Sequence, residues 1–170
     1  MKILVATEKP FAKKAVDGIR QIVEGAGYEL ALLEKYTDKS ELLSAVADVD
    51  ALIIRSDKVT AEVIEAARNL KIVVRAGAGY DNVDLAAATA RGIVVMNTPG
   101  QNSNAVAELA LAMMIFMARN GFTPGTGSEI QGKTLGIHAY GNVGRLVGRK
   151  GKAMGMNVIA YDPFITDSAV

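Results

Sequence analysis

The sequence predicts an α/β protein with a parallel-sheet domain followed by an incomplete βαβ unit. Over residues 1–98, five short apolar stretches alternate with segments of helical periodicity, a pattern typical of a parallel sheet covered by helices on both faces. Over residues 99–170, a long apolar helix precedes a strand, a glycine turn, a helix and a second strand. Because crossovers are right-handed, we expect the first domain to have the flavodoxin-like strand order 2-1-3-4-5.

The elements of the first domain follow from its apolar spacing. Strands are predicted at residues 3–6, 30–33, 51–54, 72–74 and 93–96. Helices are predicted at residues 12–25, 39–46, 60–67 and 83–90. Side chains able to cap these helices are predicted at Ser40, Thr60 and the pair Asp81–Asn82. Gly25 and Gly27 are candidates for the end of the first helix.

The second domain begins with a turn-rich crossing at residues 98–104. The helix predicted over residues 105–119 is apolar nearly all round, which indicates burial between two surfaces. Strands follow at residues 134–138 and 158–161, separated by a glycine turn and a helix that begins near Asn142. This order is that of a dinucleotide-binding (Rossmann) βαβ unit that is only begun.

The glycine turn carries most of a G-x-G-x-x-G pattern, with Ala139 at the place of the first glycine. Gly141 would let the backbone approach a pyrophosphate, and Gly144 would let the helix pack close to the strand. Ala139 fits such a turn only if its φ is negative. Asp162, at the end of the second strand, is placed to accept the ribose hydroxyls and to favour NAD over NADP.

We therefore predict NAD as the cofactor, because the first turn of the helix offers unpaired N–H groups and a positive dipole end to an anion. The alternative is an α/β crossover with a glycine turn and no cofactor. The predicted cofactor-binding residues are Tyr140, Gly141, Asn142, Val143, Gly144 and Asp162.

Composition narrows the possible functions. Formal net charge is +1 with interspersed charges, so we expect no nucleic acid and no membrane as partner. The sequence has no Cys, which removes disulfides and thiolate catalysis and fits a cytoplasmic location. A single His leaves no clustered imidazoles, and we predict no metal site.

Two sequence blocks are more specific than the glycine turn. They read Arg-Ala-Gly-Ala-Gly-Tyr-Asp-Asn-Val-Asp at residues 75–84 and Met-Asn-Thr-Pro-Gly at residues 96–100. Together with residues 54–56, 106–109 and 161–163, they make the chain resemble the D-2-hydroxyacid dehydrogenase family over essentially its whole length. The resemblance implies an N-terminal domain that holds the substrate and a second domain that holds NAD.

The resemblance also implies a substrate site for a phosphorylated hydroxy acid. Arg55 and Arg75, at strand ends, would bind phosphate and carboxylate, and Ser56 would add a hydroxyl. The backbone N–H groups of the glycine loop would form a small anion nest. Asn97 would orient the substrate or the hinge side of the cleft. The implied substrate-binding residues are Arg55, Ser56, Arg75, Ala76, Gly77, Gly79 and Asn97.

Alternative roles remain open for several of these residues. Either arginine could pair with a nearby acid, such as Asp57 or Asp81, and Asn97 could be a turn residue before Pro99. His138 lies inside a predicted strand, where packing or hydrogen bonding is the expected role.

No catalytic residue is predicted. The resemblance implies an arginine, a glutamate and a histidine in blocks after the second Rossmann strand, and none is present in matching context. We therefore expect a truncated chain, inactive alone; the alternative is a non-catalytic fragment or an engineered folding or interaction module. Because two strands would stand with open edges, we expect a homo-oligomer, formed as a dimer through the 105–119 helix or through a strand edge.

Overall fold

The computed structural model describes residues 1–165. The chain divides into two compact units, Met1–Pro99 and Gly100–Val170. The last part of the predicted second domain, residues 166–170, lies outside the described residues.

The first unit is built on a five-stranded parallel sheet with the order β2-β1-β3-β4-β5, which confirms the predicted fold class and strand order. The strands are β1 (Lys2–Thr7), β2 (Glu29–Glu34), β3 (Ala51–Ile54), β4 (Ile72–Arg75) and β5 (Val94–Asn97). The helices are α1 (Lys13–Gly25), α2 (Lys39–Ala45), α3 (Ala61–Ala66) and α4 (Leu85–Ala90). The chain moves outward from β1 to β2, then returns to the other side of β1, so the strand order reverses between β1 and β3.

The core of this unit lies on the central strands and the helices that cover them. Leu4, Leu52, Ile54 and Val73 are at most 2% exposed. Each such side chain stabilises the fold by about 1.5–3 kcal/mol relative to an exposed one. The apolar runs at β1 and β3 therefore correspond to strands buried on both faces, whereas the edge strands β2 and β5 keep exposed side chains.

Two helix starts differ from the prediction. The cap of α2 is Asp38 rather than Ser40: its carboxylate accepts from the Ser40 amide at 2.7 Å, and Glu41 reaches back to complete a capping box. Thr60 precedes α3 as predicted, but its side chain makes no capping hydrogen bond. The first helix ends at Gly25, and Gly27 beyond it has a φ of +75°.

The start of α4 was also predicted wrongly. Val83 forms a bridge with Val59, which keeps it out of the helix. The helix begins at Leu85 instead, and Asp84 caps it by accepting from the Ala87 amide at 2.9 Å. The predicted caps Asp81–Asn82 therefore lie in the preceding loop.

The second unit contains α5 (Ser103–Ala118), β6 (Thr134–His138), α6 (Asn142–Ala153) and β7 (Asn157–Tyr161). Strands β6 and β7 pair in parallel, and α6 packs against both and against α5. Within the described residues, the helix predicted to be buried on two sides buries only Ser103, Ala107 and Leu111. Its exposed apolar side chains include Leu109 and Met117.

Across residues 1–165, no helix combines the length and apolar character needed to cross a membrane. In the same residues, no group of three or more His, Cys, Asp or Glu side chains is placed to hold a metal ion.

Candidate substrate and cofactor sites

Two arginines stand side by side at the C-terminal edge of the first sheet. Arg55 follows β3 and Arg75 ends β4. The Nε of Arg75 donates a 2.8 Å hydrogen bond to the carbonyl of Arg55. Within residues 1–165, neither guanidinium lies within 4.0 Å of a carboxylate. The structure therefore does not contain the acid pairing that was the alternative for both residues.

The glycine loop after β4 is shaped around Arg75. A Cβ added at Gly77 would overlap the Arg75 guanidinium, so the absence of a side chain there lets the guanidinium lie across the loop. The amide of Ala76 donates to the Ile54 carbonyl at 2.8 Å, and that of Gly77 donates to the Arg75 carbonyl at 2.8 Å.

The predicted anion nest consequently needs correction. Ala76 and Gly77 cannot offer their N–H groups to a substrate without breaking hydrogen bonds within the protein. In the described part of the chain, the N–H groups of Ala78 and Gly79 have no protein acceptor. Gly79 is therefore the predicted loop residue whose amide is available, and Ala78 is a candidate that the sequence analysis missed.

Asn97 holds this loop in place. Its Nδ2 donates to the Ala78 carbonyl at 2.7 Å, and the amide of Thr98 donates to the Gly77 carbonyl at 2.9 Å. Asn97 thus ties the glycine loop to the end of β5 rather than serving only as a turn residue before Pro99.

Ser56 follows Arg55 in the segment after β3. It lines a cavity of about 500 Å³ at the ends of β1, β2 and β3, together with Glu8, Tyr36, Lys39 and Lys58. Hydrogen bonds and close contacts bring Arg55, Arg75, Gly77 and Asn97 together around the glycine loop that contains Gly79.

The second candidate site is the turn between β6 and α6. Ala139 has a φ of +79°, so the expectation of a negative φ at this position was wrong. The turn keeps the conformation that glycine favours even with alanine in place, because the Ala139 amide donates to the Tyr161 carbonyl at 2.8 Å.

The two glycines of the turn have different surroundings. A Cβ at Gly144 would overlap the carbonyl oxygen of Ala139, so this glycine is required for helix–strand packing. A Cβ at Gly141 would have no heavy atom within 4 Å. The amides of Asn142 and Val143 lie in the first turn of α6, where backbone N–H groups have no acceptor within the helix. This open, positively polarised end fits a pyrophosphate.

Asp162 stabilises the turn by accepting hydrogen bonds from two backbone amides. One carboxylate oxygen accepts from the Tyr140 amide at 2.7 Å, and the other accepts from the Phe164 amide at 2.9 Å. The Nε of Arg145 donates to the Tyr140 carbonyl at 3.0 Å. A carboxylate has about four acceptor positions, so Asp162 retains capacity for ribose hydroxyls while it holds the turn.

Asp57 and Asn82 were not predicted as site residues. Asp57 is 3% exposed and accepts three hydrogen bonds, and Asn82 binds the carbonyl of Asp57 at 2.7 Å. An acid directly after Arg55–Ser56 is visible in the sequence, but nothing in its neighbours indicates burial.

Comparisons with known proteins show which family the chain is similar to. Residues 4–170 match the family model of the D-isomer specific 2-hydroxyacid dehydrogenase catalytic domain. A hydroxypyruvate reductase from Thermotoga maritima is 43% identical over 79% of this chain and 49% of its own length. A D-3-phosphoglycerate dehydrogenase from Archaeoglobus fulgidus is 42% identical over 98% of this chain and 33% of its own length.

A solved structure is closer still. The NAD+-bound 3-phosphoglycerate dehydrogenase of Entamoeba histolytica has a TM-score of 0.93 and 54% identity, covering 98% of this chain and 55% of that one. The chain thus spans between one third and about half of the length of these relatives. On these grounds it belongs to the D-isomer specific 2-hydroxyacid dehydrogenase family.

Proposed function

We propose that this chain is part of an NAD-dependent D-3-phosphoglycerate dehydrogenase, which oxidises 3-phosphoglycerate to 3-phosphohydroxypyruvate in serine biosynthesis. In this proposal, residues 1–98 bind substrate and residues 99–170 begin the dinucleotide-binding domain. Support comes from relatives that carry this name at 42% and 54% identity. We also propose a cytoplasmic location without nucleic-acid or membrane partners, in keeping with the low net charge.

The main support for the proposal is the pair of guanidinium groups at Arg55 and Arg75, neither of which has a carboxylate within 4.0 Å among residues 1–165. A 3-phosphoglycerate molecule carries a carboxylate and a phosphate, and two adjacent arginines provide bidentate donors for such a dianion. The amide of Gly79 adds a neutral donor beside them. In the second unit, Gly141 and the first turn of α6 would hold the pyrophosphate, and Asp162 the adenosine ribose. The bound nicotinamide would accept the hydride.

A fluorescence titration of NADH with and without 3-phosphoglycerate tests this function. We expect both ligands to bind, and we expect hydroxypyruvate, which lacks the phosphate, to bind more weakly. The variants R55Q and R75Q should each weaken 3-phosphoglycerate binding at least tenfold, because a hydrogen bond to a charged group contributes about 1.5–3 kcal/mol. R20Q, on the exposed face of α1, is the control. Equal affinity for both acids would instead favour hydroxypyruvate as the substrate.

We further propose that these 170 residues alone bind ligands without turning them over. Hydride transfer from an alcohol needs a base for the hydroxyl proton. The single histidine, His138, lies on β6 in the second unit, beside Tyr161, with the ring centroids 5.5 Å apart. Turnover of NAD and 3-phosphoglycerate at an ordinary enzymatic rate by the purified chain would contradict this statement.

We also propose that the chain forms a homo-oligomer through α5 or through an open edge of the β6–β7 sheet. On α5, Leu109, Met113 and Met117 are each at least 59% exposed, and burying them would stabilise an interface. Light scattering should report at least twice the monomer mass, and L109E should restore the monomer. A clean wild-type monomer at high concentration would contradict the proposal.

A non-catalytic folding or interaction module remains the second candidate. It is favoured by Asp162, because both carboxylate oxygens already bind amides of the chain itself. This candidate predicts no NADH binding by calorimetry, whereas the dehydrogenase predicts binding that D162A weakens.

A further inference from the structure

We propose that Asp57 is a positioning residue that fixes the Arg55–Ser56 segment so that the Arg55 side chain is held out for an anion. This inference rests on the proposed function of Arg55 as a substrate ligand. It assigns to Asp57 a role that neither the glycine loop nor the two arginines provide.

Asp57 joins the ends of three neighbouring strands. One carboxylate oxygen accepts from the Glu8 amide, after β1, and from the Tyr36 hydroxyl, after β2, each at 2.8 Å. The other accepts from the Arg55 amide, after β3, at 3.2 Å. These are the three loops at the point where the strand order of the sheet reverses, which is where open α/β sheets bind their ligands.

Burying the Asp57 carboxylate is unfavourable, which indicates that its role is to fix the positions of the groups it binds. Asp57 is 3% exposed, and within residues 1–165 no side-chain nitrogen of Lys, Arg or His lies within 4.0 Å of its carboxylate. Burying an ion without a counter-ion is unfavourable unless hydrogen bonds compensate, and three donors converge here to do so. Burial and the bond to Asp57 raise the pKa of the Tyr36 phenol, so the hydroxyl keeps its proton to a higher pH than that of a free tyrosine.

The carbonyls of Arg55 and Asp57 are held as well. Asn82 donates to the Asp57 carbonyl at 2.7 Å, and Arg75 donates to the Arg55 carbonyl at 2.8 Å. With its amide on Asp57 and its carbonyl on Arg75, Arg55 has its backbone held from both sides, while its side chain is exposed. A fixed backbone reduces the conformational freedom that the side chain loses when it binds an anion.

The chain offers a matched control at the other end of β3. Asp50 precedes β3 and accepts from the Lys2 amide at 2.9 Å and from the Lys71 ammonium at 2.8 Å. It therefore also ties β3 to β1, but at the opposite end of β3, whose four residues span about 13 Å. Removing the charge from Asp50 weakens the same sheet without touching the Arg55 segment.

The experiment compares D57N, D50N and Y36F with the wild type. Binding of 3-phosphoglycerate and of NADH is measured by calorimetry, stability by urea unfolding, and local opening by amide hydrogen exchange at Glu8 and Arg55. We expect D57N to weaken 3-phosphoglycerate binding at least tenfold and NADH binding less than twofold. D50N should change neither affinity more than twofold, although it lowers stability. Y36F, which leaves two donors on Asp57, should weaken 3-phosphoglycerate binding by two- to fivefold.

The outcomes separate the two proposals. If D57N and D50N lower stability but both retain wild-type affinity for 3-phosphoglycerate, Asp57 is structural only and the inference is overturned. If the wild type itself binds no 3-phosphoglycerate, the proposed function fails, and amide exchange decides the positioning role. Faster exchange of the Arg55 amide in D57N than in D50N then supports it, and equal exchange overturns it. Should D57N not fold, Y36F takes its place. Its affinity for 3-phosphoglycerate and the exchange rate of its Arg55 amide are then compared with those of D50N by the same criteria.

Discussion

The loop after β4 and the turn after β6 each carry two glycines, yet these glycines have different tasks. In the loop, Gly77 makes room for the protein's own Arg75 guanidinium. In the turn, Gly144 makes room for the Ala139 carbonyl, while Gly141 faces open space. The spacing of glycines in a sequence therefore does not by itself distinguish glycines required for packing from glycines that leave room for a ligand.

The largest effect is expected from G144A. The added Cβ would overlap a backbone oxygen that cannot move without distorting β6, and overpacking of this kind costs about 3 kcal/mol. Urea unfolding measures the loss. The matched control is G18A on α1, where a Cβ meets nothing within 4 Å and helix propensity predicts a gain of about 0.5–1 kcal/mol. A loss below about 0.5 kcal/mol in G144A would contradict the close packing of α6 on β6.

G141A should change binding instead of packing. Its Cβ meets no protein atom, and the φ of −78° suits alanine, so the free energy of unfolding should change by no more than about 1 kcal/mol, the usual effect of alanine at a helix N-cap. NADH affinity should fall at least tenfold, because the Cβ occupies the approach of the pyrophosphate. Unchanged NADH affinity in a folded G141A chain would show that the turn is not a cofactor site.

How far the sequence predicted the molecule can be judged from particular residues. The five strands were predicted because their apolar runs are continuous, and the order followed from the handedness of the crossovers. The start of α4 was missed because Val83 is taken by a bridge to Val59, a contact that depends on the folded chain. The cap of α2 was assigned to Ser40, although Asp38 satisfies the same backbone groups.

The candidate sites show the same limit. Arg55, Arg75 and Asn97 were predicted as site residues from the resemblance to the dehydrogenase family, and the positions of the two arginines at strand ends agree with that prediction. Their contacts were not predictable, because the Arg75–Arg55 hydrogen bond and the Asn97–Ala78 bond depend on the loop path. The burial of Asp57 was also missed, since it arises only where three loops that are distant in sequence meet.

G77A tests the role of the glycine in the loop after β4. The Cβ would displace the Arg75 guanidinium, which is flexible, so unfolding should change by less than about 1 kcal/mol. Because Arg75 would lose its place on the Arg55 carbonyl, we expect about fivefold weaker binding of 3-phosphoglycerate, or about 1 kcal/mol, the usual value of one hydrogen bond. Calorimetry measures the affinity, with G25A at the end of α1 as control. Wild-type affinity in G77A would mean that the position of Arg75 does not matter for the substrate.

The smallest effect, and the only gain expected at a site, concerns Ala139. Its φ of +79° places an L residue in the left-handed region, which costs about 1–2 kcal/mol. A139G relieves that strain but adds about 0.4–1 kcal/mol of conformational entropy to the unfolded chain. The difference predicts a net stabilisation of up to about 1.6 kcal/mol in urea unfolding, with NADH affinity equal to or higher than that of the wild type. A destabilised A139G would contradict this prediction and would mean that the turn holds alanine at a positive φ without strain.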